Sequence, residues 1–313
     1  MTREDDVAAF EATRPMLLGL AYRILGSRAE AEDAVQDTFL KWQSADRSAI
    51  ENPASWLTTL CTRRCIDLLR AARNARVDYV GAWLPEPIHA STEGEPGERL
   101  SLAASLQTAF LLVLERLTPK ERAAYLLHEV FDVSYPEIAA TLGLQETTCR
   151  KLVSRARANV AQSKVRHTTP LDRQEQLLAA FQTAVASGGT DQLSALLSDE
   201  VELCADGGGK VPTLREVLRG KAEVLEFVGC ALHAYWGDYT WEATDINGGR
   251  GVVLWKDGSA VGCVSFAYDE HGAATNVYIV RNPDKLARLG EGGGVVRDDG
   301  GGGVAPGGAG EAG

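Results

Sequence analysis

The sequence predicts a multidomain chain: two all-α helical units followed by an α+β unit. Three observations carry this. Apolar residues recur at helical spacing, with caps in place, through residues 5–73 and again from Thr118 to Val160. After residue 171 helical patterns give way to four β-rich runs, at about 239–246, 252–256, 261–268 and 275–281, split by Asn-Gly-Gly, Asp-Gly and His-Gly turns. The length of 313 residues suits two or three domains, and helices followed by an antiparallel meander indicate α+β.

In the first unit, Phe10, Leu17, Leu18, Ala21, Tyr22 and Leu25 form one amphipathic stripe that ends at Gly26, and Ser27 caps a second helix. Along that helix Ala31, Ala34, Val35, Thr38, Phe39 and Trp42 face inward, while Asp33, Gln36, Asp37 and Leu40 share the opposite side. Asn52-Pro53 opens a third helix. Its broad apolar face includes Trp56, Leu57, Leu60 and Leu69, which favours a core role for Trp56 over a stacking platform for a base; Arg63, Asp67, Arg70 and Asn74 lie together on another face.

The second helical unit has its caps written in. Thr118 with Glu121, and Ser134 with Glu137, are capping boxes, each with Pro in the first turn, and Gly143 suits the left-handed end of the shorter helix. A third helix from about 145 to 160 turns Cys149, Leu152, Val153, Ala156 and Val160 inward; Thr147, Arg150, Lys151, Ser154 and Arg157 fall mostly outward. Three helices with a sharp Gly turn before a basic one match a helix-turn-helix whose last helix enters the major groove of DNA. Arg and Lys there read guanine edges or hold phosphates. A trihelical packing unit with a solvated basic face is the alternative.

Net charge is −11, which looks wrong for a DNA binder until it is divided. Residues 1–73 hold 10 basic and 11 acidic side chains, residues 74–171 hold 11 of each, and residues 172–313 hold 11 basic against 21 acidic. Two basic stretches, 61–76 with five Arg against Asp67 and 145–166 with six basic residues against Glu146, sit in a neutral background, as phosphate contact requires. Glu146 suits the helix N-terminus; accepting from a cytosine amino group is the alternative. The start Met-Thr-Arg-Glu-Asp-Asp and the lack of a long apolar run predict a cytoplasmic chain with no membrane span. The six cysteines, at 61, 65, 149, 204, 230 and 263, form no CxxC pair and are expected as small buried hydrophobes; Cys61 and Cys65, on one helix face, make at most half a zinc site. No metal or cofactor is expected.

The segment Ala31-Glu32-Asp33-Ala34-Val35-Gln36-Asp37-Thr38-Phe39-Leu40 resembles the region 2 helix of bacterial extracytoplasmic-function (ECF) sigma factors. Pro53-Ala54-Ser55-Trp56-Leu57 with Cys65-Ile66-Asp67-Leu68-Leu69-Arg70 is similar to their next region 2 helix, and Thr118–Arg157 to their region 4. The resemblance implies region 2 over 1–75, binding core RNA polymerase and the −10 element, and region 4 over 101–166, binding the −35 element. By that resemblance Asp33, Gln36, Asp37 and Leu40 grip the clamp helices of the β′ subunit, and the carboxylates suit basic side chains on a partner. Arg63, Arg70, Arg73 and Asn74 melt and capture the −10 element, with loop 45–52 taking a flipped base. Thr147, Arg150, Lys151, Ser154 and Arg157 contact the −35 element, and the β flap is the second polymerase partner.

A linker over 76–100 carries Trp83-Leu84-Pro85-Glu86-Pro87, in which the prolines enforce an extended strand and present Trp83 and Leu84 outward for docking. Residues 172–289 follow the order of a SnoaL-like, ketosteroid-isomerase-like cone. Together with the linker, Asp206-Gly207-Gly208-Gly209-Lys210 and Asn282-Pro283-Asp284-Lys285-Leu286 resemble signature segments of the ECF subgroup that carries such a domain, the type called sigma factor J. The resemblance implies that linker and cone meet through Asp206 and Asn282–Leu286 and set sigma activity. Read alone, the triple Gly is a flexible loop and Asn282 a helix cap. Residues 290–313, with twelve Gly among 24, are expected to be disordered.

The expected function is thus a sigma factor, not an enzyme, with RNA polymerase core and promoter DNA as partners and an anti-sigma factor or a small ligand of the cone as further ones. Two other readings stand beside it: a SnoaL-class enzyme or ligand sensor with a DNA-binding arm, and a stand-alone helix-turn-helix regulator. For the enzyme, Asp206, His233, Asp245 and His271 are the candidate bases.

Overall fold

The computed structural model describes residues 3–76, 79–89, 105–162 and 169–289, without the side chains of 3–6, 47 and 73–76. The expectations for Arg73 and Asn74 side chains, for most of the linker beyond residue 89, and for the Gly-rich tail lie outside the described residues.

Local signals build the helical half. α1 (Arg3–Leu25) stops at Gly26, whose φ of +70° ends the helix. α2 (Arg28–Ser44) starts on Ser27, whose hydroxyl accepts from the Glu30 amide at 3.3 Å. A short 3₁₀ turn (Arg47–Ala49) leads to α3 (Pro53–Arg76), where the Asn52 side chain accepts from the Ser55 amide. α5 (Pro119–Glu129) and α6 (Tyr135–Leu142) begin on the two capping boxes, and Gly143 ends α6 at φ +61°. α7 (Glu146–Gln162) follows.

One helix, α4 (Thr108–Glu115), has no counterpart among the predicted elements. Its Ala109, Phe110, Leu111, Val113 and Leu114 are all buried. A helix that is apolar all round shows no stripe, so periodicity is silent about it.

The two helical units do not fold as separate cores. Leu17, Trp42, Leu57 and Leu69 belong to the same apolar cluster as Phe110, Tyr125, Ile138 and Val153. Arg122, 1% exposed, ties them together: its guanidinium donates to the Ile24 carbonyl in α1 and pairs with Glu115, both at 2.7 Å. A buried guanidinium is tolerated only with such partners.

The last unit is a six-stranded sheet in the order β2-β1-β6-β5-β4-β3, with β1 (Leu197–Asp206), β2 (Leu218–Arg219), β3 (Thr240–Ile246), β4 (Gly249–Lys256), β5 (Ser259–Tyr268) and β6 (Ala274–Val280). The meander is antiparallel as expected, but β1 returns to pair with β6 in parallel, which no local turn signals. α8 (Leu171–Ser187), α9 (Asp191–Ser194), α10 (Lys221–Glu226), a π-helical stretch (Phe227–Leu232) and α11 (His233–Trp236) accompany the sheet, and α12 (Pro283–Leu286) closes the unit. Phe181, Val224, Trp236 and Ile279 share its core. This is the α+β cone that the resemblance implies.

The cysteine expectation needs correction. Cys61, Cys65, Cys149 and Cys263 are buried, Cys204 is half-buried, and Cys230 is exposed. Among the described residues no group of three or more His, Cys, Asp or Glu is placed to hold a metal ion, and no helix is long and apolar enough to cross a membrane.

Candidate nucleic-acid interface and interdomain clamp

On α2, Asp33, Gln36 and Leu40 are exposed, Leu40 by 53%, and Asp37 is half-buried because its carboxylate accepts from Arg64 of α3 at 2.7 Å. An apolar side chain left in water between acidic and amide groups is a surface suited to a partner. On α7, Thr147, Arg150, Lys151, Ser154 and Arg157 are all exposed along one outer face. Glu146 accepts from Arg150 one turn later, and Arg150 also lies over the Tyr135 ring at 4.2 Å; Arg157 pairs with Glu129. The Arg150–Glu146 pair is exposed on both sides, so it is worth only about 0–1 kcal/mol and gives way to a phosphate at little cost, whereas Glu129 is half-buried beneath the exposed Arg157.

α3 departs from the expectation. Arg63 and Arg70 are both exposed; Arg70 pairs with Asp67, and Arg63 is hydrogen-bonded within the chain. Its guanidinium donates to the Thr141 carbonyl at 2.8 Å and the Ala140 carbonyl at 2.9 Å, at the C-terminal end of α6. The terminal carbonyls of a helix are its negative pole, which favours a cation there. Thr59 and Thr141 share a further hydroxyl–hydroxyl contact at 2.9 Å. Part of the candidate −10 face is therefore docked on the helix-turn-helix.

The linker segment 79–89 runs between the helical half and the cone, and Trp83 and Leu84, which the prolines present for docking, are docked there within the chain. Leu84 is 1% exposed, packed with Val253, Val280 and Leu286 of the cone. Trp83 lies against Gly26 so closely that a Cβ there would sit 2.7 Å from its ring, and the Lys285 ammonium lies 4.5 Å from the ring centre. Docking satisfies the apolar surface that the prolines expose.

Asp206 anchors this contact. Fully buried at the end of β1, its carboxylate accepts from the Tyr79 hydroxyl (2.6 Å), the Leu84 amide (2.9 Å), the Gly208 amide (3.0 Å) and the Lys285 ammonium (2.6 Å). Lys285 also donates to the Leu84 carbonyl at 2.5 Å. Burial, and then the Asp206 carboxylate beside it, push the Tyr79 phenol well up, so it stays a donor. Asn282 caps α12 through the Asp284 amide and donates to the Tyr79 oxygen; a Cβ on Gly208, at φ +60°, would lie 2.3 Å from its amide nitrogen. Lys210 pairs with Asp284 on the outside. Pro283 supplies the first turn of α12, and Leu286 packs under the linker. So Asp206 and Asn282–Leu286 are brought onto the Trp83–Pro87 segment.

Glu86 faces the other way. Only 4% exposed, its carboxylate accepts from the Ser27 hydroxyl at 3.0 Å and from the Arg28 amide at 2.8 Å, at the positive N-terminus of α2. Its amide donates to the Gly26 carbonyl, while Pro85 and Pro87, both buried, hold the strand extended on either side. A second bond across domains joins the cone to α2: Arg288 pairs with Glu32 at 2.6 Å.

Sigma-70 region 2 matches residues 9–75, and sigma-70 region 4 matches residues 107–160. The curated ECF RNA polymerase sigma factor SigJ of Mycobacterium tuberculosis is 38% identical over 225 residues, covering 71% of this chain and 72% of that one. The chain belongs to the ECF RNA polymerase sigma factors. The probable ECF sigma factor SigI of the same organism is 29% identical over 294 residues, 92% of this chain and 98% of SigI. The crystal structure of M. tuberculosis SigJ matches with a TM-score of 0.70 at 32% identity, over 90% of this chain and 98% of that one. This ECF sigma factor is of the SigJ type, and its function is transcription initiation with RNA polymerase on promoter DNA.

Several residues of the sigma factor's clamp were not singled out from sequence. Asn247, at the β3–β4 turn with φ +51°, is 1% exposed. Its side chain accepts from the Ile88 amide (3.0 Å) and donates to the Tyr22 hydroxyl (2.7 Å) and the Leu106 carbonyl (3.2 Å). Tyr22 in turn donates to the Glu86 carbonyl at 2.6 Å. One hairpin residue thus joins cone, linker and both helical units. In the sequence it reads only as an Asn-Gly hairpin signal. Asn247→Ala is expected to cost about 2–4 kcal/mol, from buried groups left unpaired and from a left-handed alanine. Asn247→Gly relieves only the backbone share. Denaturant unfolding of both variants checks this, and equal stability of the two would show that backbone strain contributes nothing.

The candidate bases scatter. Asp206 is spent in the clamp, the His233 ring contacts the Val185 carbonyl at 2.7 Å, Asp245 pairs with Arg250 on the surface, and His271 is exposed beside Glu270. No two of them are hydrogen-bonded to each other among the described residues.

Proposed function

We propose that this sigma factor rests in a closed state held by the linker clamp and the α3–α6 contact, and that promoter engagement requires it to open. The supporting observation is Arg63 bound to the Ala140 and Thr141 carbonyls. Elements centred about 10 and about 35 base pairs upstream of a start lie about 85 Å apart along B-DNA, at about 3.4 Å per base pair. α3, with 24 residues, is about 36 Å long, and α7, with 17, about 26 Å. With α3 touching the helix that precedes α7, the pair is too short to cover both elements.

In this scheme Asp33, Gln36, Asp37 and Leu40 remain accessible and engage the β′ clamp helices first. Opening then frees Arg63 to act with Arg70, Arg73 and Asn74 on the −10 element. The helix-turn-helix moves to the β flap and puts Thr147, Arg150, Lys151, Ser154 and Arg157 on the −35 element. The cone is a regulatory module rather than a catalyst: its buried carboxylate has four donors and none of its other candidate bases is paired for proton transfer. An anti-sigma protein would compete for the same α2 and α7 faces. The working compartment is the cytoplasm, where polymerase and promoters are.

Arg63→Ala separates the two roles of that residue. It is expected to raise affinity for core polymerase a few-fold, by weakening the closed state. It is also expected to lower run-off transcription on templates selected by the holoenzyme from a random DNA pool. Core affinity and transcription both equal to wild type would overturn the closed-state reading.

A further inference from the structure

Glu146, the first residue of α7, is the only carboxylate in a helix that carries Arg150, Lys151, Arg155 and Arg157. A carboxylate on a face that meets phosphates is repelled by them unless a cation neutralises it. Arg150 does so: its Nε and Nη2 both donate to Glu146 Oε1, at 3.1 and 2.5 Å. The guanidinium also lies over the Tyr135 ring, 4.2 Å from its centre. Tyr135 is held in turn. The His128 ring packs on it with centroids 4.2 Å apart, and a His128 ring nitrogen lies 3.2 Å from the Val133 carbonyl. Carboxylate and ring together fix the plane of the guanidinium and the edge it leaves free.

That free edge has a pattern. Arg150 Nη1 and Glu146 Oε2 have no hydrogen-bond partner among the described residues, and the two side chains are 57% and 42% exposed. With Nε and Nη2 turned to the carboxylate, the fork of Nη1 and Nη2 offers two donors outward, and Glu146 adds an acceptor beside Nη2. Donor, donor, acceptor is the complement of the major-groove edge of a G·C pair, which shows guanine N7 and O6 as acceptors and then the cytosine N4 amino group as donor. An A·T pair shows acceptor, donor, acceptor and mismatches it at the second place. Both residues sit in the first two turns of α7, the part of a recognition helix that reaches base edges.

We propose that Glu146 and Arg150 read one G·C base pair of the −35 element as a unit, and that Tyr135 is the residue that positions Arg150. An exposed ion pair adds little stability, so its contribution here is geometry. This rests on α7 lying in the major groove at the −35 element, the reading given above.

The test uses holoenzyme reconstituted from core polymerase and the full chain. DNA selected from a random pool is expected to hold a guanine at one −35 position that Arg150→Ala no longer selects. The cytosine opposite that guanine is then replaced by N4-methylcytosine, which keeps its pairing hydrogen and blocks the groove-facing one. Binding by the unaltered chain should weaken about tenfold, and binding by Glu146→Ala should not change. Glu146→Ala should discriminate G·C from A·T at that position about tenfold less, yet bind unrelated DNA more tightly because a negative charge has left the face. A loss of folding would lower both. Tyr135→Phe should keep the selectivity of the unaltered chain, and Tyr135→Leu should lose a few-fold of it. An arginine in the groove displaces counterions on a base as on a phosphate, so base selectivity rather than salt dependence is the readout. Undiminished discrimination in Glu146→Ala, or equal sensitivity of both chains to the methyl group, overturns the joint reading; loss of the guanine in Arg150→Ala would still leave α7 on the −35 element. Equal selectivity of the two Tyr135 variants removes the ring from the device. If Arg150→Ala selects the same bases as the unaltered chain, Arg150 reads no base and the pair falls with it.

Discussion

Asp206→Ala is expected to lose about 3–5 kcal/mol of stability, the cost of stranding one partner of a buried ion pair. The Lys285 side chain is only 12% exposed and would face the Trp83 and Tyr79 rings without its carboxylate. The Leu84 amide and Tyr79 hydroxyl would lose their acceptor at the same time. Removing both charges tests the cause. Asp206→Leu with Lys285→Met replaces a buried pair by apolar groups of similar size, a change that is often close to neutral. The double variant should recover much of the loss. Guanidinium unfolding followed by tryptophan fluorescence reads both, because Trp83 lies beneath Lys285. A single variant within about 0.5 kcal/mol of wild type, the range of ordinary surface substitutions, would show that the carboxylate does not hold the clamp.

The second large effect is on DNA. The triple variant Arg150→Ala, Lys151→Ala, Arg157→Ala should reduce promoter binding by the holoenzyme and flatten its salt dependence. Each phosphate contact contributes about 0.9 to the slope of log affinity against log salt, so three lost contacts lower it by about 2.7. Folding should be little affected, since the three side chains are exposed and the Arg150–Glu146 pair is a surface pair. An unchanged slope across a salt titration would remove α7 from the phosphate backbone. A changed slope with unchanged sequence preference would assign these residues to positioning rather than base reading.

How much of this was legible in the sequence depended on how far each partner lies along the chain. The capping pairs Thr118–Glu121 and Ser134–Glu137 span three residues, and both are present with the geometry their order implies. The left-handed Gly143 and the exposed face of α7 follow from steric rules and a 3.6-residue period. α4 was invisible because burial on all sides erases periodicity. Arg63 reads as a DNA contact because nothing within a few residues accepts its guanidinium; its acceptors lie 77 and 78 residues away. Asn247 reads as a turn, although its side chain reaches Tyr22, 225 residues distant. Glu86 reads as part of a stiff linker, and its role as the cap of α2, 58 residues earlier, shows only when the strand is laid on the helix.

By itself the sequence determined the helices other than α4 and the strands of the meander, the order of a region 2, a region 4 and a cone, and which surfaces carry charge. These follow from short-range hydrogen bonding and from side-chain periodicity, which each segment carries with it. Only the tertiary structure decided that the two helical units share one core, that the linker leucine is buried in the cone, and that Arg63 is docked on the helix-turn-helix. Those outcomes depend on burying apolar surface and pairing charge between distant segments, and the energy of such contacts exists only once the chain has brought them together.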